Sequence, residues 1–430
     1  MQMKRTLNWR AIMTLRIRTL LVCCALLLFA ACCFLGCSSR AQVSTESPST
    51  EFPNASDIAE PNANSAGDQK SPQPSGGQNA DPKVSEKVAS LTLEQKVAQM
   101  FIVTPEAITG VDTATLAGET TENALHTYPV GGIAYFQKNL IDPDQTRALI
   151  ANSQAFAQDA CGLPLFIGVD EEGGTVSRIG GNPGFGITNA GNMAEVGATG
   201  DTAQAQAVAT TIGGYLSDLG FNLNFAPDSD ICGDPATDVM ALRSFGTDPT
   251  VVADMVSAQV KGFTEAGVLC CVKHFPGIGG VVGDSHDGSI TTAKTLDELR
   301  AFELVPFKAA IEASIPFIMV GHLSAPNAFG DDTPASINPE AVTNLLRNEL
   351  GYEGLIITDS MAMGAVTDRC TPDRAGVLAI QTGVDIVLMP ADFQAAYQGV
   401  LDAVASGEIS EARIDESVTR IVKTKLERLN

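Results

Sequence analysis

The sequence predicts an α/β fold, a (β/α)8 TIM-type barrel, on three observations: eight short apolar runs, helical stretches between them, and ionisable side chains closing five of the runs. The runs cover residues 98–103, 131–136, 165–169, 221–226, 268–273, 316–321, 354–358 and 383–388. Strands that alternate with helices need crossover connections, and crossovers make a parallel sheet. An open doubly wound sheet is the alternative, but it gathers its polar residues at one switch point. Here Asp170-Glu171-Glu172 follows the third run, Asp228 the fourth, Lys273-His274 closes the fifth, His322 the sixth and Asp359 the seventh. Groups spread in this way suit the C-terminal face of a closed barrel.

The barrel is expected to span residues 81–430 and to be preceded by two other segments. Residues 1–36 read as a lipoprotein signal peptide. Lys4, Arg5, Arg10, Arg16 and Arg18 precede an unbroken apolar run from Leu20 to Leu35, which is short for a membrane span of about 20 residues. Gly36-Cys37 at its end makes Cys37 the expected lipidation site, although Phe34 stands where Leu is usual in such signals. An uncleaved N-terminal anchor is the alternative, and both readings place the remainder outside the cytoplasmic membrane. Residues 37–80 carry the lipidated Cys and then a stretch of Ser, Pro, Asn, Ala, Gly and Gln with few large apolar residues. Such a composition buries too little to offset its ordering entropy, so a disordered, flexible tether is expected. Thr92-Leu93-Glu94-Gln95 has the pattern of a capped helix start.

Loss of the signal removes five basic and no acidic side chains, taking the net charge from −23 to −28. A surface so acidic is a poor partner for nucleic acid, and it leaves the lipid as the expected link to the membrane. Cys161, Cys232, Cys270, Cys271 and Cys370 are scattered without disulfide-framework or metal-ligand spacing, and Cys270-Cys271 lies in an apolar run.

The chemistry concentrates in Lys273-His274-Phe275-Pro276-Gly277 and the glycine-rich segment that runs on to Asp284-Ser285-His286. Asp284 is placed to hold one imidazole nitrogen of His286, which fixes the tautomer and raises basicity, and a mobile loop can deliver that imidazole to substrate. Lys273 at a strand end needs a carboxylate or a ligand to offset its burial. Asp359 ends Gly354-Leu355-Ile356-Ile357-Thr358 and suits a nucleophile, a base, a metal ligand or a helix cap. Asp170, Arg178 and Arg243 add hydrogen-bonding groups for a polyhydroxylated or acidic ligand. The four histidines lack clustered ligand spacing, so no metal and no cofactor is expected.

Taken in order, these motifs resemble the single-domain β-N-acetylglucosaminidases of glycoside hydrolase family 3, over nearly the whole barrel. Thr92 to Met100 is similar to the family's opening helix, Asp170-Glu171-Glu172-Gly173-Gly174 with Arg178 to its first sugar-binding loop, and Arg243-Ser244-Phe245-Gly246 to a second arginine loop. Lys273 to Gly277 with Asp284-Ser285-His286 resembles its catalytic loop and Asp359-Ser360-Met361 its nucleophile motif. The resemblance implies Asp359 as nucleophile, His286 as general acid/base and Asp284 as its tuning partner. It implies that Asp170, Arg178, Arg243, Lys273 and His274 bind N-acetylglucosamine at the non-reducing end. Ile278 departs from the family where a second loop histidine is common, and Thr175 where an arginine is common. Related three-domain β-glucosidases carry their acid/base on a further domain, and this chain is expected not to be one of them. The expected activity is retaining exo-hydrolysis of N-acetylglucosamine from peptidoglycan fragments or chitin-type glycans. The alternatives are a phosphorylase that uses the same covalent intermediate and a catalytically inactive sugar-binding lipoprotein.

Overall fold

A computed structural model describes residues 81–429 apart from 282, 284, 286 and 287. The expected signal, Cys37 and the tether therefore lie outside the described residues, as do Asp284 and His286.

Eight strands form the ring: β1 (Phe101–Val103), β2 (Gly132–Ala134), β3 (Phe166–Val169), β4 (Leu223–Asn224), β5 (Leu269–Phe275), β7 (Phe317–Val320), β9 (Leu355–Thr358) and β10 (Val387–Leu388). Their order is β10-β1-β2-β3-β4-β5-β7-β9, and every pairing is parallel. A parallel bridge between Ile357 and Ile386 closes the circle. All eight apolar runs have become barrel strands in chain order. Every residue of these strands is buried, as expected where helices cover one face and the barrel interior the other. Inside, Phe166 on β3 meets Phe317 on β7 edge to face at 5.2 Å. Two further short strands, β6 (Ile290–Thr291) and β8 (Leu323–Ser324), pair with each other outside the ring.

The first run is placed three residues too early by the sequence. Helix Leu93–Gln99 opens with a capping box in which Gln95 N–H donates to Thr92 Oγ1 and Thr92 N–H to Gln95 Oε1, and it continues through Ala98 and Gln99 before β1 begins at Phe101. Val97 and Ala98 are buried on the helix as fully as Phe101 is on the strand, so an apolar run alone does not separate the two elements. Elsewhere several of the caps are supplied by aspartates. Asp142, Asp201, Asp248 and Asp392 each accept a backbone N–H at the start of a helix, which satisfies donors that would otherwise be orphaned. Part of the large acidic excess is therefore spent on helix starts. All five cysteines among the described residues are free, with Cys270 and Cys271 wholly buried on β5.

Candidate active site

The C-terminal ends of β3, β5 and β9 deliver polar residues to one mouth, and Asp228 after β4 and His322 after β7 are buried beside it. Asp170, Arg178, Arg243, Lys273, His274 and Asp359, six residues singled out from the sequence, line a single cavity of about 960 Å³. Asp170 and Lys273 are 103 positions apart in the chain yet share a 2.9 Å hydrogen bond.

After β3, successive side chains alternate in direction, and this separates three neighbouring acids. Asp170 and Glu172 face the cavity. Glu171 turns away and is fully buried, where it accepts N–H bonds from Arg178 (2.6 Å), Ile179 (3.0 Å) and Gly180 (2.7 Å), and hydroxyl bonds from Ser177 and Tyr215. Its carboxylate therefore organises the turn that presents Arg178. The guanidinium of Arg178 lies 5.9 Å from the ring centroid of Phe136 and 3.8 Å from Asp170, and its Nε has no hydrogen-bond partner among the described residues.

Glu172 is the hub of the site. Lys273 Nζ sits 2.6 Å from its Oε1, while Arg243 donates from Nη2 to Oε1 (2.7 Å) and from Nε to Oε2 (2.8 Å). Burial alone would raise the Glu172 pKa, but Lys273 and Arg243 outweigh it and hold the group down at about 2. Burial likewise opposes the charge on Lys273, and Asp170 and Glu172 reverse that effect, so the ammonium is kept. The sequence resemblance assigned no role to Glu172; two-residue alternation from Asp170 was the signal that points to it.

Asp230 does for His274 what Glu172 does for the cations. Its Oδ2 lies 2.6 Å from His274 Nδ1, and its Oδ1 accepts the Ile278 N–H at 2.7 Å. Burial disfavours a charged imidazole, but Asp230 prevails and raises the His274 pKa above the usual histidine value. Sequence reasoning missed Asp230, because Asp228-Ser229-Asp230 after a proline reads as an ordinary polar turn. The bond to Ile278 also pins the start of the glycine-rich loop. Gly277 there has a φ of 118°, and a Cβ on it would lie 2.8 Å from Glu303 Cβ; a Cβ on Gly279 would lie 1.9 Å from the Ile231 carbonyl oxygen. These two glycines serve close packing. Further along, Gly283 and Ser285 border a second pocket of about 130 Å³ together with Arg243, His274 and Asp359, and Ala365 N–H donates to Ser285 O at 3.3 Å.

Asp359 is set by the barrel itself. Its N–H donates to Val320 O (2.8 Å), and its Oδ1 accepts the Ser360 N–H (2.7 Å). His322 at the end of β7 donates from Nε2 to Ser360 O (2.9 Å), with its Nδ1 2.7 Å from Ser336 Oγ. Burial would raise the Asp359 pKa, but the imidazoles of His274 and His322, followed by the Ser360 N–H, lower it below the ordinary value. An ionised, fixed carboxylate at the base of a polar cavity is equipped for nucleophilic attack.

Asp228, Asp230 and His274 offer one donor atom each within 4.8 Å of one another, the arrangement a metal ion would need. A cation there would displace the proton shared by His274 and Asp230 and would lie close to the Arg243 guanidinium, whose Nη2 is 3.5 Å from Asp228 Oδ2. The group is better described as part of the ion network.

Comparison with known proteins agrees with this geometry. Residues 92–424 match the model of the glycosyl hydrolase family 3 N terminal domain. The chain is 34% identical to beta-hexosaminidase LpqI of Mycobacterium tuberculosis over 346 residues, covering 78% of this chain and 84% of that one. It is 38% identical to beta-hexosaminidase A of Pseudoalteromonas piscicida over 323 residues, covering 69% of this chain but only 53% of the relative. Among solved structures, a glycoside hydrolase family 3 β-N-acetylglucosaminidase from Paenibacillus superposes with a TM-score of 0.74 at 37% identity, covering 79% of this chain and 63% of that one.

Proposed function

Because the chain belongs to glycosyl hydrolase family 3, we propose that it is a retaining exo-β-N-acetylglucosaminidase, releasing N-acetylglucosamine from the non-reducing ends of peptidoglycan fragments or related glycans. The observation that carries this reading is the position of Asp359: ionised, held by backbone, and opening into the same cavity as Asp170, Arg178, Arg243, Lys273 and His274. Those five supply charged donors and acceptors for sugar hydroxyls, and charge-assisted bonds of this kind orient a polar ligand strongly. The names of the relatives, beta-hexosaminidase and β-N-acetylglucosaminidase, support the same substrate class.

In this mechanism Asp359 attacks the anomeric carbon while His286 protonates the departing glycosidic oxygen. The bond from sugar to aglycone breaks as the bond to Asp359 Oδ forms. Neutral His286 then takes a proton from water, which displaces Asp359 and restores the β configuration, so two inversions give net retention. Asp284 orients His286. Lipid attachment at Cys37, followed by the tether of residues 38–80, would hold the barrel on the outer face of the membrane, near cell-wall fragments.

Release of a chromogenic aglycone from an N-acetylglucosaminide tests the proposal. Wild type is expected to turn over, and Asp359→Ala to lose roughly 10³-fold or more in kcat. No release by wild type, or full release by the variant, defeats it. A 2-fluoro sugar should label Asp359 if the intermediate is covalent, and product analysis with and without phosphate separates hydrolysis from phosphorolysis.

A further inference from the structure

Asp228 follows β4 at the edge of the cation cluster and is one of the most confined carboxyls in the molecule, with no exposed side-chain surface. Its Oδ1 accepts the Asp230 N–H at 2.8 Å, whereas Oδ2 has no hydrogen-bond partner among the described residues. Arg243 Nη2 stands 3.5 Å from that oxygen, too far for a good hydrogen bond, because Arg243 is committed to Glu172 at 2.7 and 2.8 Å. A bare carboxylate oxygen in this position would be costly to bury, and a protonated one much less so.

The charges of the cluster lead to the same place. Among the described residues, the carboxyls of Asp170, Glu172, Asp228, Asp230 and Asp359 meet three cations, Arg178, Arg243 and Lys273. Glu171 is excluded because the N–H and hydroxyl groups of its own turn satisfy it. The three cations leave two negative charges to be balanced by protons on the carboxyls or on the imidazoles of His274 and His322. The His274–Asp230 pair holds one. Of the four remaining carboxyls, Glu172 and Asp170 hydrogen-bond directly to cations and Asp359 accepts the Ser360 N–H, whereas Asp228 is the one with a fully buried oxygen that lacks a hydrogen-bond partner among the described residues, which makes it the seat of a proton.

We propose that Asp228 is a positioning residue that carries a proton while the enzyme works, and that its ionisation draws Arg243 off Glu172 and so ends tight sugar binding on the alkaline side. The groups facing it are Asp230 on its own segment, Arg243 from the following loop, His274 on β5 and Glu172 after β3. Burial, then Asp230, pushes its carboxyl up to about 8 against the opposing charges of Arg243 and His274, which sets the pH range to examine.

The inference rests on the sugar-binding reading of the cavity, and one titration separates the two. Calorimetric binding of N-acetylglucosamine to the whole chain should be constant from about pH 6 to 7.5 and weaken about tenfold per pH unit above about 8, with up to one proton taken up on binding there. Asp228→Asn keeps the shape of a neutral carboxyl and should bind as wild type at pH 6 while losing the alkaline fall. Because this readout involves no proton transfer by His286, the general acid does not contaminate it. Absence of binding by wild type at pH 6 overturns the sugar reading and this inference together. Wild-type affinity flat to pH 9 without proton uptake, or an alkaline fall unchanged in Asp228→Asn, overturns the inference alone. So does a loss of wild-type binding after chelation, which would make the missing positive charge a metal ion.

Discussion

Two buried ion clusters stand at opposite ends of the barrel, and they are built differently. At the end where the strands begin, Asp385 has no exposed side-chain surface; its Oδ2 accepts from Arg347 (2.7 Å) and the Ile356 N–H (3.0 Å), and its Oδ1 from Ser417 (2.6 Å) and Arg420 (3.1 Å). Each oxygen is saturated, and the partners belong to β9 and to helices that clasp the barrel. At the other end Glu172 is paired equally well, but the residues around it are not: Asp228 Oδ2 and Arg178 Nε lack hydrogen-bond partners, and the cluster opens onto the large cavity. A closed network contributes to folding, whereas one left incomplete in the folded chain retains interaction capacity for a ligand.

The largest effect that would test this contrast is on stability. Asp385→Ala leaves Arg347 and Arg420 without their carboxylate and should cost about 3–5 kcal/mol in urea unfolding, while kcat/KM of the folded enzyme falls less than about fivefold. A larger fall in activity than in stability would break the comparison. Next in size is Arg243→Lys, which keeps the charge but loses the bidentate grip on Glu172. Roughly 10- to 100-fold should be lost from kcat/KM, with unfolding changed by less than about 1 kcal/mol.

The effect that is smallest per pH unit concerns a cation at the closed end that has no carboxylate hydrogen-bonded to it among the described residues. Lys425 is fully buried, donates to Gln99 Oε1 at 2.7 Å and lies 4.9 Å from the Phe166 ring centroid. Burial depresses its pKa to about 7. Between pH 7 and the unfolded value near 10.5 the unfolded chain binds the extra proton, so this lysine makes stability rise with pH by up to about 1.4 kcal/mol per unit across that window, and it adds no slope below pH 7. Lys425→Met should remove that slope, as urea midpoints at pH 7, 8 and 9 would reveal. A slope that survives would mean that Lys425 stays charged, and that the closed end, too, tolerates an uncompensated cation.

Much of this arrangement was legible in the sequence because periodicity and strand ends are local signals. Apolar runs located all eight barrel strands, and of the ionisable residues at their ends Asp170, Glu172, Lys273, His274 and Asp359 line the cavity, whereas Asp228 and His322 are buried beside it. Pairings were not legible. Nothing in the chain near Lys273 announces that its ammonium will meet Asp170 and Glu172, a hundred positions earlier, because the closure of the barrel, and not spacing, brings them together. Asp385 was invisible for the same reason. Glu171 and Glu172 were read as one motif although they face opposite ways, and the boundary at Ala98 was misplaced because helix and strand bury equally apolar residues.

The tight packing of Gly277 and Gly279 bears on how variation in this molecule should be interpreted. A side chain at either position would drive the backbone away from Ile231 or Glu303, and with it the segment that Asp230 anchors through Ile278. In a saturation scan scored by activity, these two positions should tolerate replacement as poorly as Asp359 does, although neither carries a group able to react. Mutational intolerance along this loop therefore measures how closely two stretches of main chain approach one another as much as it measures chemistry.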